Sequence, residues 1–385
     1  MKAQDISEAM NNINEDFIES ANERRKPKSK KTNLFKYFAA AAAAVAVIIG
    51  IYALIPSENN GNAELPILVF EGGNISAFGF EGYLAYDISE LDNGNPWDED
   101  MAFKTLPVFR NNSQSAVGIA YPGIGEEAML EKLNKVTGGE HGEIEYIING
   151  DMAKDFINSI KVDFDDGDIT INSDGCVTAR FNNYDGVSIP DEYSFTYNNT
   201  TDGQAIETIA YIYENYGDII GIENATFVTS KEYTFSGEET RNYNIYDFSG
   251  DEISDMLNFA FSEVQLAPND EGKLMLIRVY DKLSCAEKIG DYPIISIDEA
   301  KDMLIEGGYI TTVPYEMPGE KYIARVELIY RCGIGENIWM PYYRFLVELP
   351  EMAQENGLKN FGAYYVPAVP TEYITGLPLW DGSFN

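Results

Sequence analysis

Apolar and polar residues are distributed unevenly along this chain, and the longest apolar run lies near its beginning. Residues 37–55 carry no charge, and a helix over them is about 28 Å long, close to the thickness of a bilayer core. Seven Lys/Arg lie within residues 24–36, and the next after the run is Lys104. The pattern predicts one transmembrane helix with a cytoplasmic N-terminus and the rest of the chain extracytoplasmic. The alternatives are a cleaved signal peptide and a buried helix of a soluble protein.

Residues 1–36 have the pattern of a short amphipathic helical segment followed by a basic stretch. Their apolar residues recur at spacings of four, three and four, which places them on one face of a helix. So short a helix cannot bury that face by itself, so the face meets either a cytoplasmic partner or the membrane surface. The predicted partner-binding residues are Ile6, Met10, Ile13, Phe17 and Ile18.

After a polar linker at 56–65, alternating apolar residues and turn sequences predict strands with a few helices. Strands are predicted at 67–70, 82–88, 105–110, 259–264, 273–280, 324–330, 342–349 and 364–367, two strands within 225–248, and a hairpin over 161–181. Helices are predicted at 126–136, within 203–221 and at 297–306, with a helical turn at 251–256. Ser296 and Glu299 have capping-box spacing. Helices followed by long antiparallel strands indicate an α+β fold. We expect an α+β region at 66–290 and a C-terminal α+β unit at 291–385.

Composition shows that the part after the apolar run is strongly acidic and still has the residues of a folded core. The net charge is −36, and residues 56–385 hold 19 Lys/Arg and 57 Asp/Glu, a net of −38. Such a surface repels nucleic acid, so we expect no nucleic-acid partner. Aromatic residues make up 13% of the chain, which disordered acidic segments do not have. The three widely spaced cysteines do not form a disulfide framework.

Candidate catalytic chemistry is sparse in this sequence. The single histidine, His141, has no G-x-S-x-G serine to activate, and no zinc-binding spacing is present. The Asp-rich residues 163–168 suggest calcium, but the glycine falls at position 5 of the loop, whereas an EF-hand needs it at position 6. A hairpin turn is the better interpretation. We predict no catalytic residue, no metal site and no cofactor, and we do not expect an enzyme.

Aromatic residues near the C-terminus are candidates for a ligand-binding surface. Trp339, Tyr342 and Tyr343 lie together at a predicted strand end, where exposed rings would stack on a sugar. Packing in the core or on a sheet face is the alternative.

Several stretches resemble single-pass membrane proteins of clostridia that are often encoded beside an extracytoplasmic-function sigma factor. They are ISEAMNNINEDFIESA with its basic and Ala/Val-rich continuation, TLPVFRN (105–111), residues 292–330, and the MPYYRFLVELP and YYVPAVP segments (340–350 and 364–370). Members are labelled anti-sigma factors or left uncharacterised. The last unit is distantly similar to extracytoplasmic repeats of YycH/YycI-type regulators. The resemblance implies a sigma factor as the cytoplasmic partner.

Together these features predict a membrane-anchored extracytoplasmic sensor or regulatory protein, of the kind represented by anti-sigma-factor-like regulators of transcription. The alternative is an anchored binding module for peptide or carbohydrate without a signalling role. Expected partners are the lipid bilayer through residues 37–55, a sigma factor or other cytoplasmic regulator, and an extracytoplasmic ligand of unknown identity.

Overall fold

Mostly antiparallel β-sheets and four α-helices make up the part of the chain that the computed structural model describes, residues 65–70, 80–112, 123–148, 157–333 and 336–382. This confirms the α+β class. The predicted segments 1–36 and 37–55, and all of the linker except Leu65, lie outside these ranges. Among the described helices, none combines the length and apolar character that a membrane crossing requires.

The secondary-structure elements follow one another in this order. The strands are β1 (Leu68–Val69), β2 (Gly82–Ala85), β3 (Thr105–Asn111), β4 (Glu145–Ile148), β5 (Ile157–Phe164), β6 (Gly167–Asn172), β7 (Val177–Phe181), β8 (Ala225–Tyr233), β9 (Glu239–Asp247), β10 (Val264–Pro268), β11 (Leu274–Val279), β12 (Ala286–Pro293), β13 (Ile310–Thr311), β14 (Ile323–Tyr330), β15 (Ile338–Trp339), β16 (Pro341–Glu348), β17 (Lys359–Pro367) and β18 (Ile374–Thr375). The α-helices are α1 (Glu126–Thr137), α2 (Asp202–Ile220), α3 (Glu252–Phe261) and α4 (Ile297–Ile305). Short 3₁₀ helices cover Ile88–Leu91, Asn182–Tyr184, Lys282–Cys285, Glu320–Tyr322, Pro350–Met352 and Thr371–Tyr373.

An eight-stranded antiparallel sheet forms one part of the fold, in the order β4-β5-β6-β7-β11-β10-β9-β8. Helices α1 and α2 contribute buried apolar residues to the same core as its strands, including Met129, Leu133 and Ile209. Thr201 caps α2 through a capping box with Gln204, so two backbone N–H groups at the helix start are satisfied. The amphipathic pattern within 203–221 therefore produces the predicted helix.

The loop that enters α1 approaches the turn between β6 and β7 closely. Gly123 has φ +59, and the next residue, Ile124, donates its N–H to the Ser173 carbonyl oxygen at 2.8 Å. A Cβ on Gly123 would overlap that carbonyl group, so only glycine fits. At the other end of α1, Gly138 also has a positive φ of +64 but faces open space.

The second part of the fold is built from strands taken from both ends of the described chain. A five-stranded sheet has the order β13-β17-β16-β14, with β2 also paired to β17, and a three-stranded sheet has the order β12-β3-β15. Strands β1 and β18 form a short parallel pair. Helices α3 and α4 share one core with β14, β16 and β17, and a further core lies on the other side of β16 and β17.

A largely buried ion pair connects β14 and β16 where Glu327 lies opposite Arg344. The Arg344 Nε atom donates to Glu327 Oε2 at 2.8 Å, and the side chains are 12% and 8% exposed. The Glu327 carboxylate holds the pKa of Arg344 above its ordinary value against the opposing effect of burial.

Two sequence-based expectations about organisation are wrong. The division between 66–290 and 291–385 falls inside β12, and both β2 and β3 pair with strands from the later region. The first half of the predicted strand at 259–264 is the end of α3, because Asp251 caps this helix and apolar residues continue at helical spacing to Phe261. Only Val264 of that segment begins a strand, β10.

The predicted helices and strands whose signal lies in neighbouring residues are confirmed. The helices predicted at 126–136 and 297–306 match α1 and α4, and Ser296 forms its capping box with Glu299. The strands predicted at 324–330 and 342–349 correspond to β14 and β16, which pair antiparallel with each other. The hairpin over 161–181 is a three-stranded meander, β5-β6-β7, and its first turn lies within the Asp-rich residues 163–168 as predicted.

Candidate functional site

The aromatic residues predicted to form a ligand surface lie inside the fold. Trp339 is 1% exposed, and Tyr342 and Tyr343 are buried. The Trp339 ring lies 5.4 Å from that of Phe261 in α3, and the Tyr343 hydroxyl donates to the backbone oxygen of Ile295 at 2.9 Å. Both faces of β16 are covered by cores, so alternate side chains are buried in opposite directions. The prediction of an exposed surface is wrong, and the packing alternative describes these residues.

The strongest group of perturbed ionisable side chains lies where the three-stranded and five-stranded sheets meet. We call Glu81, Arg331, Glu336, Tyr342 and Tyr365 the ionic junction. Arg331 follows β14, and its side chain is 4% exposed. Its Nε atom lies 3.1 Å from Glu336 Oε1, and its Nη2 atom lies 3.7 Å from Glu81 Oε2. The guanidinium group lies 4.4 Å from the Tyr365 ring centroid, and the Tyr365 hydroxyl donates to Glu81 at 2.7 Å.

Burial sets the protonation properties of this junction. It raises the pKa of Glu336 to about 7, although the Arg331 charge acts in the opposite direction. Burial also raises the pKa values of Tyr342 and Tyr365 well above the ordinary value of 10, so both phenols remain protonated. The buried Tyr342 hydroxyl makes no hydrogen bond within the described part of the chain. The junction therefore contains one carboxyl group whose charge changes near neutral pH.

A thiol and an amine lie beside the ionic junction. Lys282 Nζ lies 3.2 Å from Cys332 Sγ, and that sulfur lies 3.2 Å from the Ala260 carbonyl oxygen. Burial raises the pKa of the Cys332 thiol, although the Lys282 charge opposes the rise. Burial raises the pKa of Glu263 to about 7, again against Lys282. A thiol with a raised pKa is a weak nucleophile, so this arrangement favours a packing role for Cys332.

The remaining candidates from the sequence do not converge on a site. His141 is exposed, and its Nε2 atom lies 3.3 Å from the side-chain oxygen of Asn134. In the Asp-rich turn, Asp168 pairs with Arg180 at 2.6 Å across β6 and β7, as expected of a hairpin. Across the described ranges no three His, Cys, Asp or Glu side chains are grouped to hold a metal ion. The residues from Ile6 to Ile18 lie outside those ranges, and their role stays a prediction.

Sequence reasoning missed the ionic junction because its members are far apart in the chain. The hydrogen bond between Tyr365 and Glu81 spans 284 residues. The only local signal is Arg331 and Glu336 flanking a short loop between apolar strands, where charged residues are costly unless paired. No family model matches this chain, and no curated protein matches it either.

Proposed function

We propose that this protein is a membrane-anchored extracytoplasmic sensor that regulates a cytoplasmic partner. The observation that carries the proposal is the order of features along the chain. An amphipathic segment at 1–36 precedes an uncharged run at 37–55, and an acidic α+β unit follows. The basic residues before the run favour a cytoplasmic location for the first segment.

The ionic junction supports a sensing role because its side chains contact one another from strands that lie far apart in the sequence. Glu336 precedes β15, Arg331 follows β14, and Tyr365 lies in β17. A change of charge or of packing at Glu336 alters the balance of a buried ion pair, which is costly to leave unmatched. Regulation requires that the outer condition and the inner partner bias the same conformational equilibrium. The junction is our candidate for the element that changes state.

A sigma factor is the proposed partner, bound by the apolar face from Ile6 to Ile18. The full-length protein carrying Phe17→Asp should no longer co-purify an extracytoplasmic-function sigma factor that the unsubstituted protein captures. Asn12→Asp adds the same charge at a position outside the apolar face, so this matched control should keep the interaction. Equal capture with both variants, or none with the unsubstituted chain, would contradict the proposal.

A second candidate is an anchored carbohydrate-binding module without a signalling role. It is favoured by an exposed aromatic group at the β8–β9 turn, where Tyr86 packs edge-on to Tyr233 at 5.2 Å and Phe235 is 63% exposed. Such rings stack on sugars. For this function, deletion of residues 1–20 should leave saturable binding of soluble cell-wall fragments intact, whereas Tyr86→Ala should abolish it.

A further inference from the structure

The two edges of the eight-stranded sheet differ in how they are protected. Edge strand β8 carries Lys231 and Glu232, and its Tyr233 donates a hydrogen bond to Glu90 at 3.1 Å. Charges and covering contacts of this kind block pairing with other chains. The opposite edge strand, β4, has only β5 as a neighbour among the described strands. Within the described part of the chain, the outer edge of β4 therefore has no strand paired to it.

The side chains of β4 are unusually apolar for an exposed edge. All four of its residues are exposed, and three of them are the apolar or aromatic Tyr146, Ile147 and Ile148, the last at 57%. Their backbone pairs with β5 in antiparallel register, with a bulge between Ile147 and Ile148. An extended peptide adding to this edge would gain main-chain hydrogen bonds and cover exposed apolar surface.

An acidic concave surface adjoins the same edge. It is lined by Glu126, Glu127, Leu130, Glu131 and Asn134 of α1. The Glu126 side chain raises the pKa of the Tyr146 phenol in β4, so these two residues lie near each other. Residues 123–148 contain six Glu and two Lys, which gives this region a negative charge.

We propose that the β4 edge and the acidic face of α1 bind an extended cationic peptide as an added β-strand, which would be the extracytoplasmic ligand of the proposed sensor. This identification of the ligand class rests on that proposed function. Alternating basic and apolar side chains would suit the site, because one set faces the glutamates and the other covers the apolar edge. Pairing with a second copy is disfavoured because each chain carries a net charge of −36.

The test uses the full-length protein and a fluorescent peptide of alternating lysine and valine, about eight residues long to exceed the four-residue strand β4. Fluorescence anisotropy should show saturable binding. The same peptide with alternate backbone nitrogens methylated should not bind, because it cannot form the strand hydrogen bonds. An alternating glutamate and valine peptide should not bind either.

Matched variants locate the binding surface. Glu127→Lys with Glu131→Lys should raise the Kd by about tenfold or more. The control variant, Glu351→Lys with Glu355→Lys, makes the same charge change at exposed positions of another region. It should change the Kd by less than about twofold. Unchanged urea midpoints establish that both variants are folded.

Three outcomes overturn the inference: no saturable binding, equal loss in both double variants, or equal binding of the methylated peptide. The last two would mean unspecific attraction to an acidic surface. Peptide binding as expected, with co-purification of the sigma factor insensitive to Phe17→Asp, would preserve this site and reject the regulatory function. The reverse pair of results would reject the site and keep the function.

Discussion

Replacing Trp339 with alanine tests the placement of the predicted ligand aromatics in the core. The indole ring is 1% exposed and lies 5.4 Å from the Phe261 ring, which also contacts Tyr330 at the same centroid distance. The Trp339 Nε1 atom donates to the Gly333 carbonyl oxygen at 3.4 Å. The substitution therefore removes the aromatic contact between β15 and α3 and leaves a large cavity.

The expected loss follows from these contacts. Truncation of a buried Trp or Phe to alanine costs about 3–5 kcal/mol, and we place Trp339→Ala near 4 kcal/mol because the long indole hydrogen bond adds little. That is a large share of the roughly 5–15 kcal/mol by which a folded protein is stable. Trp339→Phe keeps much of the ring volume and should lose less than half as much.

Urea unfolding followed by circular dichroism measures the change in the free energy of unfolding. The midpoint should fall while the slope with urea concentration stays constant, because the surface exposed on unfolding is nearly unchanged. Phe235→Ala, at a residue 63% exposed, is the control and should cost less than about 0.5 kcal/mol. A loss below about 1 kcal/mol for Trp339→Ala would refute its placement in a packed core.

Three further predictions concern individual contacts. Burial raises the pKa of Glu263 from 4.5 to about 7, so the folded state keeps a proton that the unfolded chain releases first. This stabilising contribution is full below pH 4.5 and is lost as the pH rises through 7. In the Glu263→Gln variant, the urea midpoint should therefore depend less on pH over this range. Glu327→Leu leaves the largely buried Arg344 without its counter-charge and should cost about 3 kcal/mol or more. Adding Arg344→Met to Glu327→Leu should recover most of that loss, and a double-mutant cycle that shows no coupling would contradict the pair's role. Gly123→Ala should lower the thermal midpoint more than Gly138→Ala, because both have positive φ but only the first new methyl group meets a backbone carbonyl; equal shifts would contradict this.

The sequence predicted elements whose signals lie within a few residues. The capping box of Ser296 and Glu299 identifies α4, and the alternation around the Asp-rich turn identifies β5 and β6. These signals act through local backbone hydrogen bonds and side-chain periodicity, which are visible without the rest of the fold.

Burial of the aromatic residues and the location of the ionic junction depend on distant partners. The nearly continuous apolar run of β16 is typical of a strand covered on both faces, which is the signal that places Tyr342 and Tyr343 inside. No comparable signal pairs Glu81 with Arg331, because charged residues look alike until the strands beside them have been paired. The β4 edge was missed for the same reason, since a sheet edge is defined only by the order of all its strands.

The pairing of early strands with late ones determines which incomplete chains are viable. Strands β2 and β3 take their partners from β17, β12 and β15, and the Tyr365–Glu81 contact closes 284 residues of chain. During synthesis from the N-terminus, β2 has no partner strand until β17 has emerged, and β3 has none until β12 has emerged. A chain that ends before β17 would therefore keep unpaired strand edges. We expect such a fragment to aggregate or to be degraded, and not to function as a shorter protein.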